Sequence, residues 1–231
     1  MRTEPIIKVI IPALDEERSI GLVVNEIPKH LVDEVIVVDN GSNDKTGELA
    51  GKAGATVLFE QEKGYGAACL RGMAYLAKQE QKPDLVVFMD ADHSDDVSEM
   101  SLLLEPILLG EADLVIGSRA LGKRERGSMT LPQIFGNWLA TRLLKILYGV
   151  KFTDLGPFRA IKWEELMVLG MEDRNYGWTV EMQLRAAKRG LRCREVAVSY
   201  RKRIGTSKVS GTVKGTIMAG YKILWTIFRY L

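Results

Sequence analysis

Cysteine is nearly absent: of 231 residues only Cys69 and Cys193 are cysteines, and their separation matches no metal-binding or redox spacing. They read as plain thiols of a reducing compartment, with no disulfide framework to build on. Charge of one sign is also missing. A formal net charge of +2 is too small to call for a nucleic-acid partner. No stretch is low in complexity, and no apolar run reaches the roughly 18 to 20 residues of a membrane-spanning helix, because Lys214, Lys222 and Arg229 interrupt the most apolar tail. Residues 1–8 carry no long apolar stretch behind a basic flank and run straight into a strand pattern. The expectation is therefore a chain without a secretion signal, working in the cytoplasm.

What remains is ordinary globular composition, 46% hydrophobic and 27% charged, in a length suited to one core. Strand-length apolar runs at 6–11, 34–39, 56–59, 85–90 and 114–117 alternate with helical patterns near 19–26, 45–53, 67–78 and 97–108. Runs such as Val35-Ile36-Val37-Val38 are apolar at every position and must be covered on both faces. That predicts an α/β fold, a mostly parallel sheet between helices. After Arg119 a polar loop, 121–130, leads to further helices near 133–148, 164–169 and 179–189, read as the acceptor half of the same domain. Acidic residues crowd 90–99 and basic ones 185–208, which suggests separate sites for a cation and an anion.

Ligands of open α/β sheets bind beyond the carboxyl ends of the strands, and here those ends are polar. The run from Leu85 leaves its strand at Asp90-Ala91-Asp92. Two carboxylates at i and i+2 can face one side and offer hard oxygens to Mg²⁺ or Mn²⁺, leaving other positions to water and phosphate. The alternative, a turn or helix cap, is weakened because Ser94, Asp95 and Asp96 can cap the next helix. The first strand leads to Pro12-Ala13-Leu14-Asp15-Glu16 and the second to Asp39-Asn40-Gly41-Ser42-Asn43-Asp44, either a nucleoside-binding edge or plain turn and cap chemistry. Lys63-Gly64-Tyr65-Gly66-Ala67-Ala68 opens a helix as a phosphate-binding turn would, though simple helix entry explains it equally.

In this order, together with Gly117-Ser118-Arg119 and Asp154-Leu155-Gly156-Pro157-Phe158-Arg159, these motifs resemble the family 2 inverting glycosyltransferases, over about residues 6–208. Within them the chain is most similar to the polyprenyl-phosphate branch of dolichyl-phosphate mannose and glucose synthases. The resemblance implies a Rossmann-like GT-A fold in which Pro12, Ala13, Glu16 and Asp39 hold the nucleoside, Asp90 and Asp92 the metal and diphosphate, and Arg119 lies near the acceptor phosphate. It departs in two places: Ser94, after His93, stands where those synthases usually carry Gln, and Asp39-Asn40 where Asp-Asp is frequent.

The run Tyr200-Arg201-Lys202-Arg203-Ile204-Gly205-Thr206-Ser207-Lys208 can close over a diphosphate or lipid phosphate, or be a solvated surface. With Gly64 and Ala91, the residues Arg201, Arg203 and Lys208 complete the expected donor set, and Arg119, Arg201 and Arg203 are also the residues expected to bind the acceptor. Amphipathic patterns at 134–148 and within 209–231 suit either core packing or helices lying in a bilayer interface. The expected division is 1–118 for the nucleotide sugar, 119–208 for the acceptor, and 209–231 as an amphipathic helix. The leading expectation is inverting transfer of a hexose from a nucleotide-sugar donor (GDP-mannose or UDP-glucose type) to polyprenyl phosphate, peripheral on the cytosolic face of a membrane. A hydroxyl acceptor would instead require a carboxylate base, Asp154 or Glu181, and a nucleotide-sugar-binding subunit without turnover is the non-enzymatic rival. Nothing in the sequence sets the oligomeric state.

Overall fold

A computed structural model describes residues 4–207 and 212–231. Its first half follows the expected alternation: β1 (Ile7–Ala13), α1 (Ile20–Glu26), β2 (Glu34–Asp39), α2 (Thr46–Lys52), β3 (Thr56–Phe59), α3 (Tyr65–Leu76), β4 (Leu85–Phe88), α4 (Met100–Leu108) and β5 (Leu114–Ser118). The second half adds α5 (Leu131–Tyr148), β6 (Arg159–Lys162), α6 (Trp163–Leu169), α7 (Trp178–Lys188), β7 (Cys193–Ala197) and α8 (Val213–Arg229). All seven strands form one sheet in the order β3-β2-β1-β4-β6-β5-β7. Only β6 runs against its neighbours, wedged antiparallel between β4 and β5. Neither β6 nor β7 is among the strands expected from the sequence.

The apolar strands are covered twice, as their composition requires. Ile10, Ile36, Val38, Val86 and Phe88 point into one core with α3, α5, α6 and α7. Their neighbours Val9, Ile11, Val37, Leu85 and Val87 point into the other, with α1, α2 and α4. This period-2 split of uninterrupted hydrophobic runs is what fixes the sheet in the middle layer. Pro12 fits near the end of β1 for a definite reason. Ile10 O accepts from Met89 N on the β4 side and Ala13 O from Asn40 N on the β2 side, so even-numbered residues of β1 face β4. Pairing with β4 stops at Phe88, opposite Ile10, so the N–H that proline lacks has no strand partner to lose.

At the opposite, amino edge Glu34 ties four elements together. Its carboxylate accepts from Lys8 Nζ (3.0 Å), Thr56 Oγ1 (2.8 Å), Tyr75 OH (2.8 Å) and Gln79 Nε2 (2.9 Å). Burial pushes its pKa up, but these hydrogen bonds outweigh burial and hold it down to about 2. A carboxylate depressed on folding contributes stability above its usual value of 4.5 and loses it as pH falls toward about 2. The Glu34→Gln variant is expected to flatten the acid limb of the stability profile in that window, read by urea denaturation at successive pH values. An unchanged slope would remove Glu34 from the acid sensitivity.

Candidate active site

β1 is the point from which the sheet is wound both ways, with β2 on one side and β4 on the other, and a cavity opens beyond these strands. Its volume of about 480 Å³ is in the range of small-molecule sites. Asp90, Ala91 and Asp92 leave β4 directly into its wall, beside Pro12 and Ala13. Asp92 Oδ1 accepts from Ser94 N (2.9 Å) and from the Ser94 hydroxyl, while Oδ2 lies 3.1 Å from Arg203 Nη1. Asp95 Oδ2 accepts from Asp90 N (3.2 Å), and its Oδ1 is buried without a hydrogen-bond partner. Thus Ser94 does positional work on Asp92, and His93 turns away to Glu26 (2.9 Å).

Negative charge is over-supplied here. Burial first, then Asp92 and Asp95, push the Asp90 pKa well above the carboxylate range. Burial and Asp92 likewise push Asp95 up to about 7. Among the described residues no three His, Cys, Asp or Glu side chains form a complete metal cage. Such a site suits a hard cation that takes one or two carboxylates and fills its remaining positions with phosphate oxygens and water. The orphaned Asp95 oxygen and the crowded carboxylates fit a divalent ion at Asp90 and Asp92.

The loops after β1 and β2 are laced to each other. Asp15 N donates to Ser42 Oγ (2.9 Å), Asn43 N to Asp15 Oδ1 (2.8 Å) and Glu16 N to Thr46 Oγ1 (2.7 Å). Asp15 takes a left-handed φ of 51°, a conformation Asp tolerates better than most residues. Asp39 spends Oδ1 on Ser42 N (2.7 Å) and does not line the cavity; Asn40 does. Asn40 also accepts from Gly64 N (2.7 Å) and donates to the carbonyls of Glu60 and Glu62, fixing the β3–α3 loop. The glycines of that loop serve close packing. A Cβ on Gly66 would lie 1.9 Å from Asp173 O, and one on Gly64 2.0 Å from Arg174 O. Ala67 N, at the helix entry, already donates to Arg174 O (2.9 Å). Gly64 still lines the cavity, but the helix start is in part capped by protein.

On the other side of the cavity stands Arg119. Its guanidinium grips Asp154 through Nε–Oδ2 (2.8 Å) and Nη2–Oδ1 (2.7 Å), its backbone N–H adds a bond to Oδ2 (2.7 Å), and it stacks 5.0 Å from the Tyr200 ring. Burial alone lowers the Arg119 pKa, yet Asp154 more than reverses this. Arg159, fully buried, donates to the carbonyls of Leu155, Gly156 and Thr179, and burial pulls its pKa down to about 10. Facing it, the buried Tyr65 hydroxyl has no hydrogen-bond partner, and burial and then Asp90 raise its pKa well above the usual value.

Pro12, Ala13, Glu16, Gly64, Asp90, Ala91, Asp92, Arg119 and Arg203 are all brought to the one cavity. Other expected residues are not. Arg201 turns away, pairing with Asp96 (2.7 Å) and Glu26 (3.6 Å). Asp154 sits behind Arg119, both oxygens engaged. Glu181 does not line the cavity: it accepts from Glu172 N, Asp173 N, Arg185 Nε and the Tyr230 hydroxyl, which makes it a strut between α7 and the end of the chain. Lys208 lies outside the described residues. Tyr65 has no site role in the sequence reading and Asn40 enters it only as a departure from Asp-Asp; the signal for both is their place inside the motifs at the strand ends.

The switch-point cavity is thus walled by two strand-exit aspartates, Asp90 and Asp92, and rimmed by Arg119 and Arg203. The chain belongs to glycosyl transferase family 2, whose family model matches residues 8–165. It is 34% identical to an uncharacterized glycosyltransferase of Mycobacterium tuberculosis, over 92% of this chain and 94% of that one. It is 31% identical to the undecaprenyl-phosphate mannosyltransferase of Micrococcus luteus, over 89% and 88%. Among solved structures, glucosyl-3-phosphoglycerate synthase of M. tuberculosis in complex with Mn²⁺, UDP-glucose and phosphoglyceric acid superposes with a TM-score of 0.76 at 24% identity, over 98% of this chain and 79% of that one. The fold expected from the sequence is the fold found, and the protein is a glycosyltransferase.

Proposed function

We propose that this enzyme transfers one hexose, with inversion, from a nucleoside-diphosphate sugar to a polyprenyl phosphate at the cytosolic surface of a membrane that it binds peripherally. The carrying observation is the distribution of acids around the cavity. Among the described residues its lining carboxylates are Glu16, Asp90 and Asp92, all on the donor side. Asp154 and Glu181, the two candidate bases for a hydroxyl acceptor, are held in ion pairs and face elsewhere. A phosphate acceptor is already an anion at neutral pH and needs no base, only alignment with the anomeric carbon. Arg119, lining the acceptor side, is suited to bind it. The cavity is also lined by Gly136 of α5 and Ala219, Gly220 and Ile223 of α8, beside the polar Gln133, Asn137 and Thr216, and in this reading the small and apolar residues take the start of the prenyl chain.

In this reading Pro12, Ala13 and Glu16 seat the nucleoside, and Asp90 and Asp92 orient the diphosphate. Mg²⁺ or Mn²⁺ held by these two aspartates supplies positive charge against the departing nucleoside diphosphate. Residues 1–118 serve the donor and 119–208 the acceptor, while α8, in the segment 209–231, faces the bilayer. The undecaprenyl-phosphate mannosyltransferase among the relatives supports the acceptor class. The test is incubation with labelled nucleotide sugars, Mn²⁺ and a short polyprenyl phosphate in detergent. Solvent-extractable glycolipid that disappears with chelator is expected. Transfer only to hydroxyl acceptors, with polyprenyl phosphate inert, would overturn the proposal.

A further inference from the structure

A second cavity, of about 450 Å³, lies on the far side of Asp154, between the loop after β5, the outer face of α5 and the loop that follows α5. Four basic side chains line it: Arg124, Arg142, Lys145 and Lys151. Among the described residues none of the four is in an ion pair; Arg124 reaches only the Met129 sulfur, at 3.5 Å. Asp154 also lines this cavity but is already neutralised by Arg119 and contributes no spare charge. Like charges gathered without a counterion repel one another, so an anion entering the cavity would relieve that repulsion. Two guanidinium forks and two ammonium groups match the several oxygens of a phosphate ester.

The surroundings indicate where that phosphate comes from. Leu131, Phe135, Trp138, Arg142, Lys145 and Ile146 recur at helical spacing and share one face of α5. On that face the hydrocarbon is in the open, with Leu131 82%, Phe135 61% and Ile146 72% exposed. Trp138, itself more than half exposed, forms part of the cavity wall. Tyr221, Trp225 and Phe228 extend the exposed apolar surface along α8, which packs against α5 through the Tyr148 hydroxyl and Ile227 O. Aromatic and aliphatic groups beside cations, none of them core-facing, are the composition of a helix lying in a bilayer interface.

We infer that the cavity bounded by Arg124, Arg142, Lys145 and Lys151 binds the phosphate of an anionic membrane lipid while the exposed face of α5 enters the headgroup layer. This is a site apart from the donor cavity, and it fixes how the glycosyltransferase stands on the membrane. It rests on the membrane part of the proposal above but needs neither donor nor acceptor, so it can be tested without turnover.

The test is co-sedimentation of the full chain with vesicles of phosphatidylcholine alone or of phosphatidylcholine containing phosphatidylglycerol. Wild type is expected to sediment with the anionic vesicles and release them as salt rises. The triple variant Arg142→Gln, Lys145→Gln, Lys151→Gln is expected to lose roughly a hundredfold in partition, the size that three basic groups at a lipid surface carry. Its nucleotide-sugar affinity and transfer to a short acceptor in detergent should be unchanged. A control triple at exposed lysines elsewhere, Lys29, Lys52 and Lys78, should still bind. Equal binding by the cavity variant and wild type would overturn the inference, as would equal loss in both triples. Soluble glycerol phosphate occupying the cavity while vesicles fail to bind would overturn the lipid assignment.

Discussion

An Asp90→Asn enzyme is expected to fall to about a thousandth of wild-type transfer or lower while melting at the same temperature or higher. Loss of activity follows from the role proposed for this carboxylate, since an amide keeps the shape but gives up the charge that balances a divalent ion. Retention of stability follows from the surroundings. Asp90 is crowded by Asp92 and Asp95, and Asp95 keeps one buried oxygen without a partner. Burial and these acidic neighbours already disfavour a charge on Asp90, and the amide leaves the Asp92–Arg203 pair in place, so no ion pair of Asp90 among the described residues is broken. Labelled-sugar transfer, measured with a thermal melt and a Mn²⁺ titration of donor binding, reads both halves. A variant that stays active, or one that unfolds, contradicts the account of this site.

Asp154→Asn is expected to do the reverse, costing about 3–5 kcal/mol of stability. The Arg119 guanidinium is mostly buried, and both its nitrogen contacts with Asp154 are at full charge-assisted strength. Asparagine offers only one acceptor and leaves a buried cation unpaired. Replacing both partners, Arg119→Met with Asp154→Leu, should be less damaging than the sum of the single changes, which a double-mutant cycle in urea resolves. If Asp154→Asn instead kept its stability and lost only turnover, Asp154 would be acting on substrate, and the hydroxyl-acceptor reading would return.

The readable part of this molecule was its parallel half. Every strand there is apolar at nearly every position, so the strands of that half and their alternation with helices followed from local pattern, and the polar motifs at their carboxyl ends pointed to the cavity wall. β6 and β7 were hidden for different reasons. Arg159-Ala160-Ile161-Lys162 is four residues long and charged at both ends, and only its place between β4 and β5 makes it a strand. Cys193–Ala197 carries Arg194 and Glu195 in its middle because it is an edge strand paired on one side to β5. The basic run 200–208 was legible as charge but not as pairing. Arg201 and Arg203 find acids at 26, 96, 16 and 92, distances along the chain that no local signal spans. For the same reason the contact between Asp154 and Arg119 has no local sign in the sequence.

Arg203 joins Glu16 on the β1 loop to Asp92 on the β4 exit, and Ile204 N adds a bond to Asp92 O (2.9 Å). The guanidinium is thus the internal counterion of the very carboxylate to which the divalent ion is proposed to bind. If the proposed metal binds there, loading the enzyme would exchange one counterion for another rather than add one. Ionic strength weakens both, so donor affinity should respond to salt far less steeply than the charge of a nucleoside diphosphate would suggest.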